Sequence, residues 1–348
     1  MADIIDINRF PLTNQSNGLN STQKQYLQKL VKTCLDEDIA SGDITTLATV
    51  PSDRMKNAIF IAKNTGIISG ISIVEYIFSL IDSSIQCHWS ITDGSHITRS
   101  TQFGYISGSA RSLLQGERLV LNIIQRMSGI ATQTSVYVNL VKSIQSKSII
   151  LDTRKTVPGL RLLDKLSVQH GGGRNHRHGL YDMFMIKDNH ISAAGSIENA
   201  LKLVQQYIID NKLPDTVLVE LEVRTDDELQ QILSLNNKYK LDVIMLDNMI
   251  TVQYLDGNTN NLSSSNMKID TSRLESAVQL INGRYKTEAS GNVNIGTVQS
   301  IAQSNVTYIS IGALTHSVTA FDISLKIIED DGTLFNGHTQ ALNAHSAV

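Results

Sequence analysis

Between Ile150 and Ile191 the chain reads ILDTRKTVPGLRLLDKLSVQHGGGRNHRHGLYDMFMIKDNHI, and its basic residues crowd into this stretch. From Arg154 to Lys187 there are seven Lys/Arg (Arg154, Lys155, Arg161, Lys165, Arg174, Arg177 and Lys187) against Asp164 and Asp182, a local balance of +5 in a chain of net charge −3. Such a reversal of sign suits a small, strongly anionic ligand. The cations do not form a helical stripe. Arg154 and Lys155 follow the apolar run Ile149 to Leu151, and Lys187 follows Met183 to Ile186, so they stand at the ends of strand-like runs, where side chains are aimed. Gly171, Gly172 and Gly173 remove side chains just ahead of Asn175, His176 and Arg177 and let backbone amides come close to an anion.

The elements that hold these residues are legible as short β-rich runs: Ser148 to Leu151, Met183 to Ile186, Val217 to Val223, Val243 to Leu246, Tyr285 to Thr287 and Tyr308 to Ile311. Helix signals separate most of them. Thr225 with Glu228 and Ser272 with Glu275 have capping-box spacing, and Gly283 stands where the second of those helices should stop. Strands alternating with helices imply parallel βα units, and this many in succession point to a closed or nearly closed barrel. Polar residues gather at the run ends: Asp152, Arg154 and Lys155; Lys187, Asp188 and Asn189; Glu220 and Glu222; Asp247 and Asn248; Glu288, Ser290 and Gly291; Gly312. A barrel places its catalytic loops there. A doubly wound open sheet would place its ligands at the same ends, so pattern alone leaves both architectures open.

Before Ser148 the texture differs. Lys24 to Leu35 reads as helix, Asn57 to Ser69 and Gln86 to Ile106 as strands with turns, and Ala110 to Val141 as a long helix interrupted near Gly129. The division expected is a first domain over 1–121, a catalytic barrel over 122–317 and a C-terminal segment over 318–348. The stretch GNTNNLSSSN from Gly257 reads as a surface loop inserted between a strand and its helix. IIEDDGT from Ile327 falls outside the barrel pattern and reads as solvated loop.

At 348 residues and 41% apolar content the chain can bury one large core and a smaller one. No run reaches the roughly 18 apolar residues of a membrane span, and the start MADIIDINRF lacks signal-peptide character. Cys34 and Cys87, without metal-ligand spacing, suit a reducing compartment, so the cytosol is the expected location. A pI near 6.3 offers no broad basic surface for nucleic acid. Neither a Walker A sequence nor a dinucleotide-binding glycine turn is present.

Nine blocks now carry a family resemblance: DEDIASGDITT from Asp36, GERLVLNIIQRMSGIAT from Gly116, DTRKTVPGLR from Asp152, GGGRNHRHGL from Gly171, IKDNHI from Ile186, VELEV from Val219, IMLDN from Ile244, TEASGN from Thr287 and IGALTHS from Ile311. In this order, across roughly residues 25 to 327, they resemble the quinolinate phosphoribosyltransferases, also called nicotinate-nucleotide pyrophosphorylases (carboxylating). The resemblance implies an α/β protein: an N-terminal α/β sandwich domain, an incomplete α/β (TIM-like) barrel, and a chain end that returns to the first domain. It implies a homodimer or a multiple of dimers with shared active sites. The implied reaction turns quinolinate and 5-phosphoribosyl 1-diphosphate into nicotinate mononucleotide, diphosphate and carbon dioxide in NAD biosynthesis, with Mg2+ accompanying the diphosphate donor.

Such substrates bring two carboxylates, a phosphate and a diphosphate, which a site must meet with fixed cations. One charge pair at about 4 Å is worth roughly 4 kcal/mol at an effective dielectric near 20. By the resemblance, Arg154, His176, Arg177 and Lys187 bind the dicarboxylate and nearby anionic groups, Arg118 comes from the partner subunit, and Lys155 lies near the reacting centre and the diphosphate. Glu222 and Asp247 fit as acceptors for ribose hydroxyls, as neighbours of the magnesium, or as stabilisers of positive charge at the anomeric carbon. An ion pair with one of the basic residues is the competing explanation for Glu222. Ser290, Gly291, Asn292 and Gly312 follow the last two strands, where barrels bind phosphate through backbone amides. They are assigned to the 5-phosphate, with Asn292 standing where many members of the family have glycine. His316 falls in a matching block without a chemical argument of its own.

Overall fold

The strand-like runs and the helices between them build two compact units, one of residues 20–132 with 318–328 and one of residues 133–317, in a computed structural model that describes residues 20–259, 262 and 266–328. The first division therefore lies between Thr132 and Gln133, where the sequence expectation is 121/122, and the second lies after Ser317, where the expectation is 317/318.

The first unit begins with α1 (Ser21–Asp38), whose Asn20 and Gln23 form a reciprocal cap, and α2 (Ile44–Thr49), capped by Asp43. There follow β1 (Met55–Ala62), β2 (Gly66–Ile67), α3 (Ile71–Ile81), β3 (Gln86–Trp89), β4 (His96–Ile97), β5 (Gln102–Ser109) and α4 (Ala110–Ser143). α3 buries Ile71, Ile73, Val74, Ile77 and Phe78. Phe60, Trp89 and Phe103 pack as an aromatic cluster, with centroids 5.1 to 6.1 Å apart. The expected break of α4 near Gly129 does not occur. A side chain at Gly129 would collide with the Thr319 carbonyl and Val318, so this glycine serves close packing and not helix termination.

The second unit carries the barrel: β6 (Ile149–Leu151), α5 (Arg161–His170), β7 (Met183–Ile186), α6 (Asp188–Ala194), α7 (Ile197–Asp210), β8 (Leu218–Val223), α8 (Asp226–Ser234), β9 (Val243–Asp247), β10 (Thr251–Tyr254), β11 (Met267–Asp270), α9 (Ser272–Ile281), β12 (Lys286–Ser290), α10 (Val298–Gln303), β13 (Tyr308–Ser310) and α11 (Ala313–His316). The sheet order is β6-β13-β12-β9-β8-β7, with every pair parallel. The last strand is hydrogen-bonded to the first, so the sheet wraps round, and the open-sheet alternative falls away. The barrel is incomplete at the seam between β6 and β7. Arg174 alone fills part of it, through a bridge to Leu151 in which the Arg174 N–H donates to Ile150 O at 2.9 Å. The Asp152 N–H donates to Arg174 O at 3.1 Å. Leu151, Val243 and Tyr308, with Ile149, form an apolar base inside the barrel. By strand alternation and register, Glu220, Glu222 and Glu288 share the same interior.

The capping box at Thr225 and Glu228 is present. The other helix start lies one residue earlier than expected: Thr271 is the N-cap of α9 and its hydroxyl donates to Glu275, while the Ser272 N–H donates to Asp270. At its far end Asn282, with φ +47°, takes the left-handed cap position ahead of Gly283. The expected loop from Gly257 connects β10 and β11, an antiparallel hairpin that the sequence reading missed. Residues 260–261 and 263–265 lie outside the described residues, as do Glu329 to Thr333 of the acidic tail motif. After the barrel the chain supplies β14 (Ile323–Ile328), antiparallel to β1, and the first unit's sheet runs β14-β1-β5-β3.

Candidate active site

The seam segment delivers His176 and Arg177 into the barrel interior, where both are buried. His176 Nε2 lies 3.0 Å from Glu220 Oε2 and 3.3 Å from Glu288 Oε2, and its Nδ1 accepts the Arg177 N–H at 2.7 Å. Burial works against charge on this ring, but Glu288 and Glu220 outweigh it and raise its pKa to about 10. Burial and then the charge of Glu288 raise Glu220 to about 7. The raised values of His176 and Glu220 keep a proton within this cluster at neutral pH, while the Arg177 N–H is directed at Nδ1.

The same three side chains bring one ligand atom each within 4.8 Å of one another. A metal would need the Nε2 lone pair and a protonated Nδ1 donating outward. Nδ1 accepts here, so the chemistry of this donor set is proton sharing, and it does not fit a resident metal.

Beneath the segment Asp152 and Lys165, both fully buried, pair at 2.5 Å. Burial opposes both charges, raising the pKa of Asp152 and lowering that of Lys165, while each partner pulls the other back toward its charged form. Arg161, at the start of α5, donates to Thr156 Oγ1 at 3.0 Å and to His178 O at 3.1 Å, and Asp182 accepts the N–H groups of His178 and Gly179. Arg161 and Asp182 thus secure the loops on which the site is built.

Two like charges face each other here. Burial and then the neighbouring Arg154 lower the pKa of Arg177, against the pull of Glu220 and Asp182. Arg154 Nε is buried with no hydrogen-bond partner among the described residues. A pair of cations in which one is buried and the other half-buried with its Nε unpartnered calls for an anion.

At the mouth, Lys187 Nζ lies 2.6 Å from Glu222 Oε2. Arg224, just beyond β8 and half-exposed, reaches Glu222 Oε1 at 2.9 Å, Asp188 at 2.6 Å and Asp247 at 3.3 Å. The competing explanation for Glu222 is thus realised twice over. Asp247, at the end of β9, also accepts from Asn248 Nδ2 at 2.8 Å.

The loops after the adjacent strands β12 and β13 form the remaining wall. Gly291 has φ +87°, and a side chain there would collide with the Asn248 amide. Asn292 follows at φ +55°, its carbonyl accepting Thr297 Oγ1 at 2.9 Å. The Ser290 carbonyl accepts the Asn248 N–H at 2.9 Å. Exposed Lys155 lies against Gly312, where an added Cβ would stand 2.9 Å from Lys155 Cδ and 3.2 Å from His316 Nε2. Thr315 Oγ1 ties this corner by donating to the Lys155 carbonyl at 2.8 Å.

The barrel unit accordingly supplies Arg154, Lys155, His176, Arg177, Lys187, Glu222, Asp247, Ser290, Gly291, Asn292 and Gly312. Arg118 belongs to α4 in the other unit, where it is exposed. Sequence reasoning missed Arg224, the ion pair beneath the segment, and the depth of Glu220 and Glu288. Only Arg224 carried a usable signal, two positions past Glu222 at the end of the same strand.

Residues 43–128 match the model of the quinolinate phosphoribosyl transferase N-terminal domain, and residues 130–326 match that of the C-terminal domain. The chain is 49% identical over 304 residues to quinolinate phosphoribosyltransferase (decarboxylating) 2b, mitochondrial, of Nicotiana tabacum, covering 86% of this chain and 82% of that one. It is 48% identical over 304 residues to nicotinate-nucleotide pyrophosphorylase (carboxylating), chloroplastic, of Oryza sativa subsp. japonica, covering 86% and 77%. The structure of nicotinate-nucleotide pyrophosphorylase from Francisella tularensis superposes with a TM-score of 0.74 at 34% identity, covering 90% of this chain and 99% of that one. The organellar names of the plant relatives overturn the expected cytosolic location. That expectation rested on cysteine usage and the first residues, neither of which separates the cytosol from other reducing compartments. Among the described residues no helix is long and apolar enough to cross a membrane.

Proposed function

The chain belongs to the quinolinate phosphoribosyltransferase family of decarboxylating pentosyltransferases, and on that premise we propose that its barrel converts quinolinate and 5-phosphoribosyl 1-diphosphate into nicotinate mononucleotide, diphosphate and carbon dioxide, a step of NAD biosynthesis. The observation that carries this reading is the like-charge pair of buried Arg177 and half-buried Arg154, whose Nε is sealed from water without a hydrogen-bond partner among the described residues, together with Lys187 at the end of β7. A dicarboxylate would supply the missing countercharge, and a monocarboxylate would leave part of the excess uncompensated. His176 supports the pair from below, since its ring nitrogens are engaged by the Arg177 N–H and the two glutamates.

The donor fits the opposite wall. Backbone amides of Gly291, Asn292 and Gly312, with Ser290, suit the 5-phosphate, and Lys155 suits the diphosphate and the reacting centre. Glu222 and Asp247 suit the ribose hydroxyls and the magnesium that the diphosphate carries, a hard ion that binds through one or two carboxylates plus substrate oxygens. Their present partners Lys187 and Arg224 are partly exposed and can yield to the substrate. In the transfer, the pyridine nitrogen bonds to the anomeric carbon as the bond to diphosphate breaks. The resulting pyridinium then stabilises the electron pair left at the adjacent carbon when carbon dioxide departs, and a proton takes its place. Arg118, on the outside of α4, suits the site of a partner subunit in a homodimer or a multiple of dimers.

Incubating the protein with quinolinate, the sugar donor and magnesium, followed by mass determination of the product, tests the proposal. Nicotinate mononucleotide is expected, with nicotinate a poor substrate. Equal turnover of nicotinate and quinolinate would overturn the dicarboxylate assignment.

A further inference from the structure

Asp152 and Lys165 have no exposure to solvent, so neither can touch a substrate. Two opposite charges sealed from water carry a desolvation cost that their attraction repays only when they also satisfy other groups. Here those groups are the two backbone atoms of one residue. The His176 N–H donates to Asp152 Oδ1 at 2.8 Å, and Lys165 Nζ donates to His176 O at 3.0 Å. A neighbouring β-strand would supply this same pair of bonds.

The position in the barrel explains the need. The seam segment has a single ladder bridge, at Arg174. Two residues further on, no described strand lies alongside it, and a buried N–H and C=O left without partners would each be costly. Both halves of the substitute come from anchored elements: Asp152 continues β6, and Lys165 sits within α5.

We propose that the Asp152–Lys165 ion pair stands in for the absent strand and is the positioning element of the acceptor subsite, fixing the backbone at His176 so that Arg177 faces the dicarboxylate. The inference rests on the reading of Arg177 given above. The donor loops have fastenings of their own, at Asn248 to Ser290 and Thr297 to Asn292, so loss of the pair should fall on the acceptor.

The test compares Lys165→Met, Asp152→Asn and the double variant, which buries no unpaired charge and so remains informative if a single variant fails to fold. The KM of quinolinate, the KM of the donor and kcat are measured, together with amide hydrogen exchange over residues 171–180. In the double variant the quinolinate KM should rise about 10- to 100-fold, the scale on which small misplacements act. The donor KM should stay near its wild-type value, and exchange should quicken over 171–180 while the other barrel strands keep their protection. A parallel rise in both KM values, an unchanged quinolinate KM, or unchanged exchange in that segment would overturn the proposal. Arg177→Ala, assayed alongside, separates the two readings: an unchanged quinolinate KM there removes Arg177 from the acceptor subsite, whereas exchange over 171–180 still reports on the ion pair.

Discussion

Replacing Gly291 with alanine should cost both stability and donor binding, and the structure allows the two contributions to be separated. Gly291 lies at φ +87°, and a Cβ would land on the Asn248 side-chain amide. Left-handed backbone costs an L-residue roughly 1–2 kcal/mol. Forcing atoms into an occupied space adds about 1–3 kcal/mol. Gly283 supplies the control, because it has φ +72° with nothing within 4 Å of an added Cβ, so Gly283→Ala should pay the backbone contribution alone. At about 2–4 °C of Tm per kcal/mol for a unit of this size, Gly291→Ala should melt measurably below Gly283→Ala. Asn248 Nδ2 holds Asp247 Oδ2 at 2.8 Å, so moving that amide also frees a carboxylate assigned to the donor. Steady-state kinetics should show a raised donor KM in Gly291→Ala and none in Gly283→Ala. Equal melting temperatures and equal donor KM values in the two variants would refute the collision argument.

Arg177→Ala should raise the quinolinate KM about 10- to 150-fold, the loss of one charged hydrogen-bond partner; unchanged kinetics in a folded variant would remove it from the site. Glu220 has its pKa raised to about 7 by burial and by Glu288, so the folded protein holds a proton between about pH 4.5 and 7 that the unfolded chain releases. Stability relative to Glu220→Gln should accordingly fall as pH rises through that window, and denaturation curves whose difference is flat with pH would contradict it. Arg118→Ala and Lys155→Ala proteins, each nearly inactive, should recover about a quarter of wild-type activity when mixed and reassembled, because half the dimers are hybrid and each hybrid has one intact site. No recovery, with hybrids present by native mass spectrometry, would place both residues in the same chain's site or leave Arg118 structural.

Much of the barrel was legible because buried parallel strands write themselves as short apolar runs. Met183 to Ile186 agrees to the residue, and Val243 to Leu246 lacks only Asp247. Acids blurred the other boundaries. Glu220 and Glu288 resemble strand ends in one dimension, and their burial depends on His176, which arrives from a distant segment. β10 and β11 escaped because they are short, half-exposed and separated by a polar loop. Gly129 was read through helix propensity when packing against Thr319 decides it. The aimed cations could be found because charge at a strand end is visible in sequence. The support under them could not, because nothing local distinguishes Lys165, a buried strut within α5, from a lysine on a solvated helix face.

The pairing of first with last elements sets a schedule for synthesis. Phe60 of β1 faces Leu325 of β14, some 265 residues later, and Ile150 of β6 faces Ile309 of β13. At about 5–20 residues per second, β1 leaves the ribosome on the order of ten to fifty seconds before its outer neighbour exists. During that interval its edge and that of β6 are exposed templates for the wrong partner. Neither sheet can gain its last strand before residues 308–310 and 323–328 have been made, so both edges need protection over that stretch of elongation.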